Sequence, residues 1–488
     1  MNPVHPTTDT RPSTNCLQHT TAVGTPATGT LCHRPSEGDN LAPLPTRCIV
    51  HTWWPLAFSW LLMAVESPII NAIIARLAAP EINLAAFGGV VWPMALIIES
   101  PILMLLSAST ALSRDRGSYL MVRRFMMRAS AILTGLHVLI AFTPLYYVVI
   151  VDLIGAPAEI VEPSRLGLMI MIPWTWAIAY RRFNQGILIR LGHSRAVGLG
   201  TLIRLGTDGL MLTAGYLIGT LPGIVVAAST LIAGVVSEAI YAGLRIRPVL
   251  REQLTQAGAA GEPLTFRAFT AFYAPLAMTS VLRLLVQPLG SAALSRMPDA
   301  LDSLAAWSIV TGFVFLLRSL GFAYNEVVIA LLDEPRAARN LSRFAAMLAV
   351  MTTVLLLTIA GTPLATFWFG RVSALNPRLV ALARRGLWVV LPLPAVDALQ
   401  SWYQGTIVHS RRTRGVTEAM AIYVVTICTI LWAGVAWGQM TGLYVGLAAF
   451  GLGGLAQTVW LWQRSRPARQ AMQTRDDATR CHPQLEQI

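Results

Sequence analysis

Two Glu-Ser-Pro triplets, Glu66-Ser67-Pro68 and Glu99-Ser100-Pro101, sit inside long apolar stretches of the sequence. A carboxyl group in such surroundings can take up and release a proton or a metal cation. The proline beside it removes a backbone hydrogen bond and frees a carbonyl. Glu66, Asn71, Glu99 and Glu326 are therefore candidate ion-coupling residues, and Pro68 is the hinge that a change of charge at Glu66 would bend. The plainer reading of each acid is a carboxyl hydrogen-bonded to a neighbouring helix.

A second set carries guanidinium and amide groups. Arg283 and Gln287 stand one turn apart just before Pro288, and Arg318 and Asn325 are seven apart on one helical face with Glu326 adjacent. A guanidinium stays charged in apolar surroundings and presents a fork that suits carboxylate or phosphate, which points to an anion site. The alternative is pairing of Arg318 or Arg283 with Glu326, locking helices together. Asp397, Gln400 and Gln404 follow Pro392 and Pro394 at i, i+3 and i+7, a single polar face on an apolar segment. Arg283, Gln287, Arg318, Asn325, Asp397, Gln400, Gln404 and Gln185 form the candidate substrate-binding set, with Pro68, Pro288 and Pro392 as hinges. Arg204 and Asp208, at i and i+4, read as a pair within one helix. His137, His193 and His409 lack a partner acid at ligand spacing, and no two of the five cysteines have CxxC spacing, so neither a metal site nor a disulfide frame is expected.

The elements that must position these residues follow from composition. The 488 residues are 55% apolar and only 12% charged, with mean hydropathy +0.57. A soluble domain carries about 25% charged residues, so too little polar surface is present to coat a water-soluble body. The chain reads as an all-α polytopic membrane protein. Its net charge of +13 comes from 37 basic residues that are all arginine, and in a membrane protein it marks loops rather than a nucleic-acid partner. No nucleophile elbow, P-loop, GxGxxG or HExxH pattern is visible, which argues against an enzyme and against a bound cofactor.

Runs of about 20 apolar residues give twelve candidate spans. They cover 53–75, 84–112, 125–150, 166–190, 197–220 and 222–246, then 268–296, 304–332, 344–368, 385–409, 416–437 and 441–463. Arginines cluster in alternate connections, which puts both termini in the cytoplasm; Arg371, Arg378, Arg384 and Arg385 alone fall on the other side. The expected organisation is a disordered tail over 1–50, an N-lobe over 51–250, a linker over 251–267, a C-lobe over 268–465 and a tail over 466–488.

The two lobes are copies. Pro55-Leu56-Ala57 recurs as Pro275-Leu276-Ala277, Pro68 as Pro288, Arg76 as Arg296, and Leu84-Ala85-Ala86 as Leu304-Ala305-Ala306, all at an offset of 220. Further on the offset is 219, matching Phe125 with Phe344, Pro173 with Pro392, Gln185-Gly186 with Gln404-Gly405 and Arg195 with Arg414. Six helices per copy is an even number, so the copies insert in parallel and relate by a pseudo-two-fold axis along the membrane normal. The repeated positions are mostly kink and close-packing residues. The ionisable ones mostly do not repeat: Glu66 matches Val286, Arg283 matches Met63 and Asp397 matches Ile178.

Pro55-Leu56-Ala57, Pro68, Asn71, Arg76 and Leu84-Ala85-Ala86-Phe87-Gly88 resemble the first- and second-helix signature of MATE-like exporters, members of the multidrug/oligosaccharidyl-lipid/polysaccharide (MOP) flippase superfamily. Within that superfamily the chain is similar to the progressive-ankylosis (ANK-like) branch at Ser113-Arg114-Asp115-Arg116, Gln185-Gly186-Ile187-Leu188-Ile189-Arg190, Arg283 with Pro288, Tyr324-Asn325-Glu326 and Leu391-Pro392-Leu393-Pro394. The resemblance implies two lobes rocking around a central cavity. For the branch, it implies export of anions such as pyrophosphate, citrate or nucleotides. Drug-exporting relatives carry an acid near the position of Asn71, whereas Glu66 lies about a turn and a half earlier, a departure from their route of cation coupling. The expected protein is a monomeric secondary exporter in a bacterial inner membrane, surrounded by lipid, moving a small organic or phosphate-containing anion against H⁺ or Na⁺. A cationic MATE-type drug exporter and a lipid-linked substrate flippase are the alternatives.

Overall fold

The computed structural model describes residues 44–254, 264–410 apart from 333 and 335, and 414–481. Most of the expected N-terminal tail, much of the linker and part of the C-terminal tail lie outside the described residues. Among the described residues the chain is helical, with no strand. Its membrane helices are α1 (Thr46–Ile74), α2 (Pro80–Leu112), α3 (Arg116–Phe142), α4 (Ala158–Ile170 continuing as Ile172–Arg190), α5 (Ser194–Ile218) and α6 (Gly223–Glu252). The second six are α7 (Phe266–Leu294), α8 (Ala300–Leu331), α9 (Ala337–Gly361), α10 (Pro377–His409), α11 (Arg414–Trp437) and α12 (Gly442–Asp476). Ten of these are long and apolar enough to cross a membrane. The other two, α4 and α5, fail that test because they carry Arg181, Arg182, Arg204 and Asp208 in their spans.

Local chemistry sets the helix ends. The third span was expected over 125–150, yet α3 begins at Arg116, because Asp115 and Ser118 form a capping box that starts the helix within the arginine-rich stretch. Pro144 then lies just past its end and cannot continue it. The fourth span breaks at Met171, just ahead of Pro173, and its copy α10 turns over residues 390–392, ahead of Pro394.

The repeat is a repeat of structure. α1 and α7 each run 29 residues, and each is followed by a non-glycine residue in the left-handed region, Ala79 (φ 49°) and Asp299 (φ 55°). The change of offset from 220 to 219 has a physical cause. Residues Ala86–Val91 of α2 form a π-helical turn, which takes up more residues than an α turn, whereas α8 is unbroken over Ala300–Phe322. One extra residue in α2 therefore advances the register of the first copy. That turn carries Gly88 against Ser308 of α8, where a Cβ would lie 2.1 Å from the serine Cβ.

Packing does not keep the two sets of six helices apart. The start of α1, with Cys48, Ile49, Trp53 and Ala57, shares a core cluster with α8, α9 and α10 of the second copy and with Met472 of α12. Reciprocally, Phe269 and Tyr273 at the start of α7 share one with α2, α3, α4 and α6. The exchange is anchored symmetrically. Trp53 Nε1 donates to Leu320 O (3.1 Å) and its ring meets Phe344, while Tyr273 Oη donates to Pro101 O (2.6 Å) and its ring meets Phe125. The six residues form three pairs of repeat equivalents, Trp53 with Tyr273, Pro101 with Leu320 and Phe125 with Phe344.

Candidate functional site

At the end of the bundle away from the termini, the two copies are latched by a reciprocal pair. Arg76 Nη2, from the end of α1, donates to Arg371 O (2.9 Å). Arg296, from the end of α7, donates to Ile154 O (2.6 Å), Leu153 O (2.6 Å) and Asp152 O (3.3 Å). Asp152 and Arg371 are themselves repeat equivalents. Asn376 adds a bond to Glu81 (2.6 Å) across the same seam. The arginines that fell on the unexpected side of the sequence are in part accounted for here: Arg371 supplies its carbonyl to the latch, and Arg378 pairs with Asp299 (3.0 Å) and Asp302 (2.8 Å).

Asn71 belongs to this seam. Its Nδ2 donates to Ser308 O (3.1 Å) and its Oδ1 accepts from Ser308 Oγ (3.0 Å), fully buried between α1 and α8. Pro68 and Pro288 lie within α1 and α7, which continue through them as single helices, and Pro392 lies in the turn that divides α10.

Inside the first copy, ionisable residues from five helices converge. Glu66 of α1 meets Arg204 of α5 (2.9 Å), and Arg204 also approaches Glu238 of α6 (3.8 Å). Glu238, wholly buried, pairs with Arg181 of α4 and accepts from Gln185 Nε2 (2.9 Å). Glu99 of α2 accepts from Trp174 Nε1 (2.5 Å), with the Arg182 guanidinium nearby. Asp208 is 3% exposed, and no N–H or hydroxyl donor reaches either of its oxygens, while the Glu66 carboxyl lies beside it. It does not pair with Arg204, against the expectation of an ion pair within α5, because Glu66 and Glu238 on neighbouring helices draw that guanidinium away. Gly234 makes the room: a Cβ there would lie 1.9 Å from Asp208 Oδ1. The cluster holds Glu66, Glu99, Asp208 and Glu238 against Arg181, Arg182 and Arg204. It has one carboxyl more than it has guanidiniums.

The second copy is arranged differently. Arg318 of α8 grips Asp397 of α10 through two bonds (2.5 and 3.1 Å) and lies 5.4 Å from the Phe322 ring centroid. Two of the candidate substrate-binding residues thus neutralise each other, and neither Arg318 nor Arg283 pairs with Glu326, which is exposed on α8. Gln400 joins α10 to α12 through Gly454 O (2.9 Å), Thr458 Oγ1 (3.0 Å) and Gln457 Oε1 (3.3 Å). Gln287, Gln404 and Asn325 are half-buried, the last with its Oδ1 unpartnered. Arg283, on α7, is exposed, has no ion-pair partner among the described residues, and lies within electrostatic reach of Tyr423, which also senses Arg318 and Asp397.

Sequence reasoning did not single out Glu238. Its signal was available: an acid in the middle of an apolar span needs a partner, at a cost of about 2.5–3.5 kcal/mol without one.

No family model matches the chain, and no curated protein matches it by sequence. Solved structures do. A multidrug resistance MATE family transporter of the MOP superfamily, in an inward-facing conformation, matches with TM-score 0.66 at 14% identity over 85% of this chain and 98% of that one. The lipid II flippase MurJ, in an inward closed conformation, matches with TM-score 0.66 at 14% identity over 86% and 89%. A MOP superfamily transporter from Pyrococcus furiosus Vc1, described as having a binding pocket of reverse polarity, matches with TM-score 0.55 at 15% identity over 90% and 100%. The chain is a multi-pass membrane protein with the fold of MOP superfamily transporters.

Proposed function

We propose that the protein is a secondary active transporter that moves a small organic or phosphate-bearing anion by alternating access between its two copies, in exchange for protons. The observation that carries this reading is Arg283. A cation exposed in the span of α7, with no ion-pair partner among the described residues, is costly against lipid and favourable against an anion in a water-filled cleft. The latch of Arg76 and Arg296 supplies a closed end for one of the two access states, with the termini facing the cytoplasm in the inner membrane of a bacterium. The protein works as a monomer, since the two copies within one chain complete the cleft.

The buried cluster of the first copy supports the proton. An isolated charge in apolar surroundings is strongly disfavoured, so four carboxyls facing three guanidiniums balance when one carboxyl holds a proton. Loss of that proton leaves a net negative charge beside Pro68, on the helix that crosses to the other copy.

Purified protein in liposomes tests this, with labelled pyrophosphate, citrate and ethidium offered under imposed pH and sodium gradients. Anion movement driven by the pH gradient is the expected result. Ethidium movement without anion movement would favour the cationic-drug reading, and transfer of lipid-linked substrate alone the flippase reading. Arg283→Gln should lower anion transport at least about tenfold with no change in unfolding temperature, because the side chain has no ion pair to lose; an active variant sinks the assignment.

A further inference from the structure

The repeat supplies an internal control for a second anion site, away from the cleft. In the second copy, near the end of the bundle that carries the termini, Arg414 of α11 and Arg464 of α12 converge on one carboxylate, that of Glu418. Arg464 holds Oε2 through Nη2 (2.5 Å) and Nε (2.7 Å), Trp460 Nε1 donates to the same oxygen (3.3 Å), and Arg414 Nε meets Oε1 (3.3 Å). Three donors from two helices thus form a carboxylate cradle, and the chain fills it itself.

The first copy keeps the cradle and lacks the carboxylate. At the offset of 219, Arg195 stands for Arg414, Arg245 for Arg464 and Tyr241 for Trp460, so both guanidiniums and a polar aromatic donor are retained. Leu199 stands for Glu418. Among the described residues neither Arg195 nor Arg245 has an ion-pair or hydrogen-bond partner. A pocket of about 540 Å³ opens between α5 and α6 at this place, lined by His193, Arg195, Leu199, Tyr241 and Arg245. His193 adds a further polar group: its Nδ1 meets Leu191 O (2.8 Å), which leaves Nε2 for another partner.

We propose that this pocket binds an anionic phosphate group supplied from outside the chain, the headgroup of an anionic phospholipid, in the place that Glu418 fills in the other copy. A guanidinium pair with an imidazole suits phosphate, and basic pockets between helices at the membrane surface are suited to anionic headgroups. The surroundings favour a lipid over a free ion. Leu199 of α5 lines the pocket and is 49% exposed, and Leu202, one turn further along α5, is exposed too, which offers an apolar path for acyl chains. The site shares no residue with the buried cluster and does not include Arg283, so it stands whether or not the transport reading does.

The repeat also dictates the test. Leu199→Glu installs the carboxylate of the second copy and should occupy the cradle from within. Full-length protein in detergent is titrated with phosphatidylglycerol, with phosphatidylcholine, and with inorganic phosphate, and read by thermal unfolding and by native mass spectrometry. Phosphatidylglycerol should raise the unfolding temperature of the wild type, and phosphatidylcholine should not. Leu199→Glu should weaken phosphatidylglycerol binding about tenfold. Glu418→Leu, the converse change, should add a second retained phosphatidylglycerol. If Leu199→Glu fails to fold, the double variant Arg195→Gln with Arg245→Gln carries the same expectation. A response to inorganic phosphate equal to that for phosphatidylglycerol overturns the lipid as the source. Unchanged phosphatidylglycerol binding in the variants overturns the site.

Discussion

The two copies of this protein share a scaffold and differ in how they fill its polar positions. Arg181 and Glu238 of the first copy correspond to Gln400 and Gln457 of the second, Gln185 to Gln404, and Arg204 to Tyr423. The contact between α4 and α6 that is a buried ion pair in one copy is an amide pair at 3.3 Å in the other. Hydrogen-bonded amides join those helices without any net charge to balance. The ionic version joins them too, but it ties the packing of α4, α5 and α6 to the protonation of whichever carboxyl is in excess. The comparison teaches that charge at the contact of α4 with α6 exceeds what packing requires, since the equivalent contact of α10 with α12 is held without it.

Making the first copy resemble the second is the sharpest way to break this comparison. Glu238→Gln leaves Arg181 buried without its carboxylate, and removal of one partner of a buried pair costs about 3–5 kcal/mol. The double change Arg181→Gln with Glu238→Gln reproduces the amide pair of α10 and α12 and should recover most of that loss in chemical unfolding. The double variant keeps one carboxyl in excess (Glu66, Glu99 and Asp208 against Arg182 and Arg204), so transport by it should keep its dependence on the pH gradient while the protein stays folded. A single variant as stable as the wild type would show that the cluster is not held by this pair.

The scaffold was legible in the sequence and the cluster was not, for one physical reason. Scaffold positions are prolines, glycines and alanines whose demands are local, so they recur in register: Pro68 with Pro288, and Gly186 with Gly405, each pressed against the second helix of its own copy. The cluster is assembled from α1, α2, α4, α5 and α6, and its members share neither spacing nor copy number. Glu66 and Glu99 stood out through their Glu-Ser-Pro context, while Glu238 in α6 has no such context. Arg204 and Asp208 had the spacing of a helical pair, which says only that both point the same way. The π turn in α2 was visible as a one-residue change of offset, although that shift alone did not say where the extra residue lay.

A smaller effect sharpens the comparison at the latched end, where the copies play matching roles with unequal strength. Arg296 crosses to three carbonyls and Arg76 to one. Hydrogen bonds from charged donors contribute about 1.5–3 kcal/mol when buried, and less at exposed positions such as these. Arg296→Ala should therefore weaken the closed end by about 1–2 kcal/mol and Arg76→Ala by under about 1 kcal/mol. A thiol introduced at the seam and labelled from solution reads the difference as a rise in accessibility, about tenfold for the first variant and only a few-fold for the second. Equal rises would mean that the carbonyl contacts do not set the strength of the latch.

The smallest effect separates backbone from side chain at two equivalent positions. Ala79 and Asp299 both hold the left-handed conformation between the first two helices of their copies, where a Cβ is unfavourable by about 1 kcal/mol. Glycine removes that strain, at the expense of a more flexible unfolded chain, so Ala79→Gly should stabilise by a few tenths of a kcal/mol up to about 1. Asp299→Gly gains the same backbone relief but loses the bonds of the carboxylate to Arg378 (3.0 Å) and Thr441 (3.3 Å). Arg378 keeps Asp302, and the Asp299 pair is well exposed, so the loss is about 1 kcal/mol or less. The net change at Asp299 should be near zero or slightly unfavourable. The two substitutions are identical in backbone terms, so the difference between their unfolding temperatures isolates what the carboxylate adds in the second copy alone. Equal gains at both positions would show that the Arg378 pair contributes nothing to that end of the bundle.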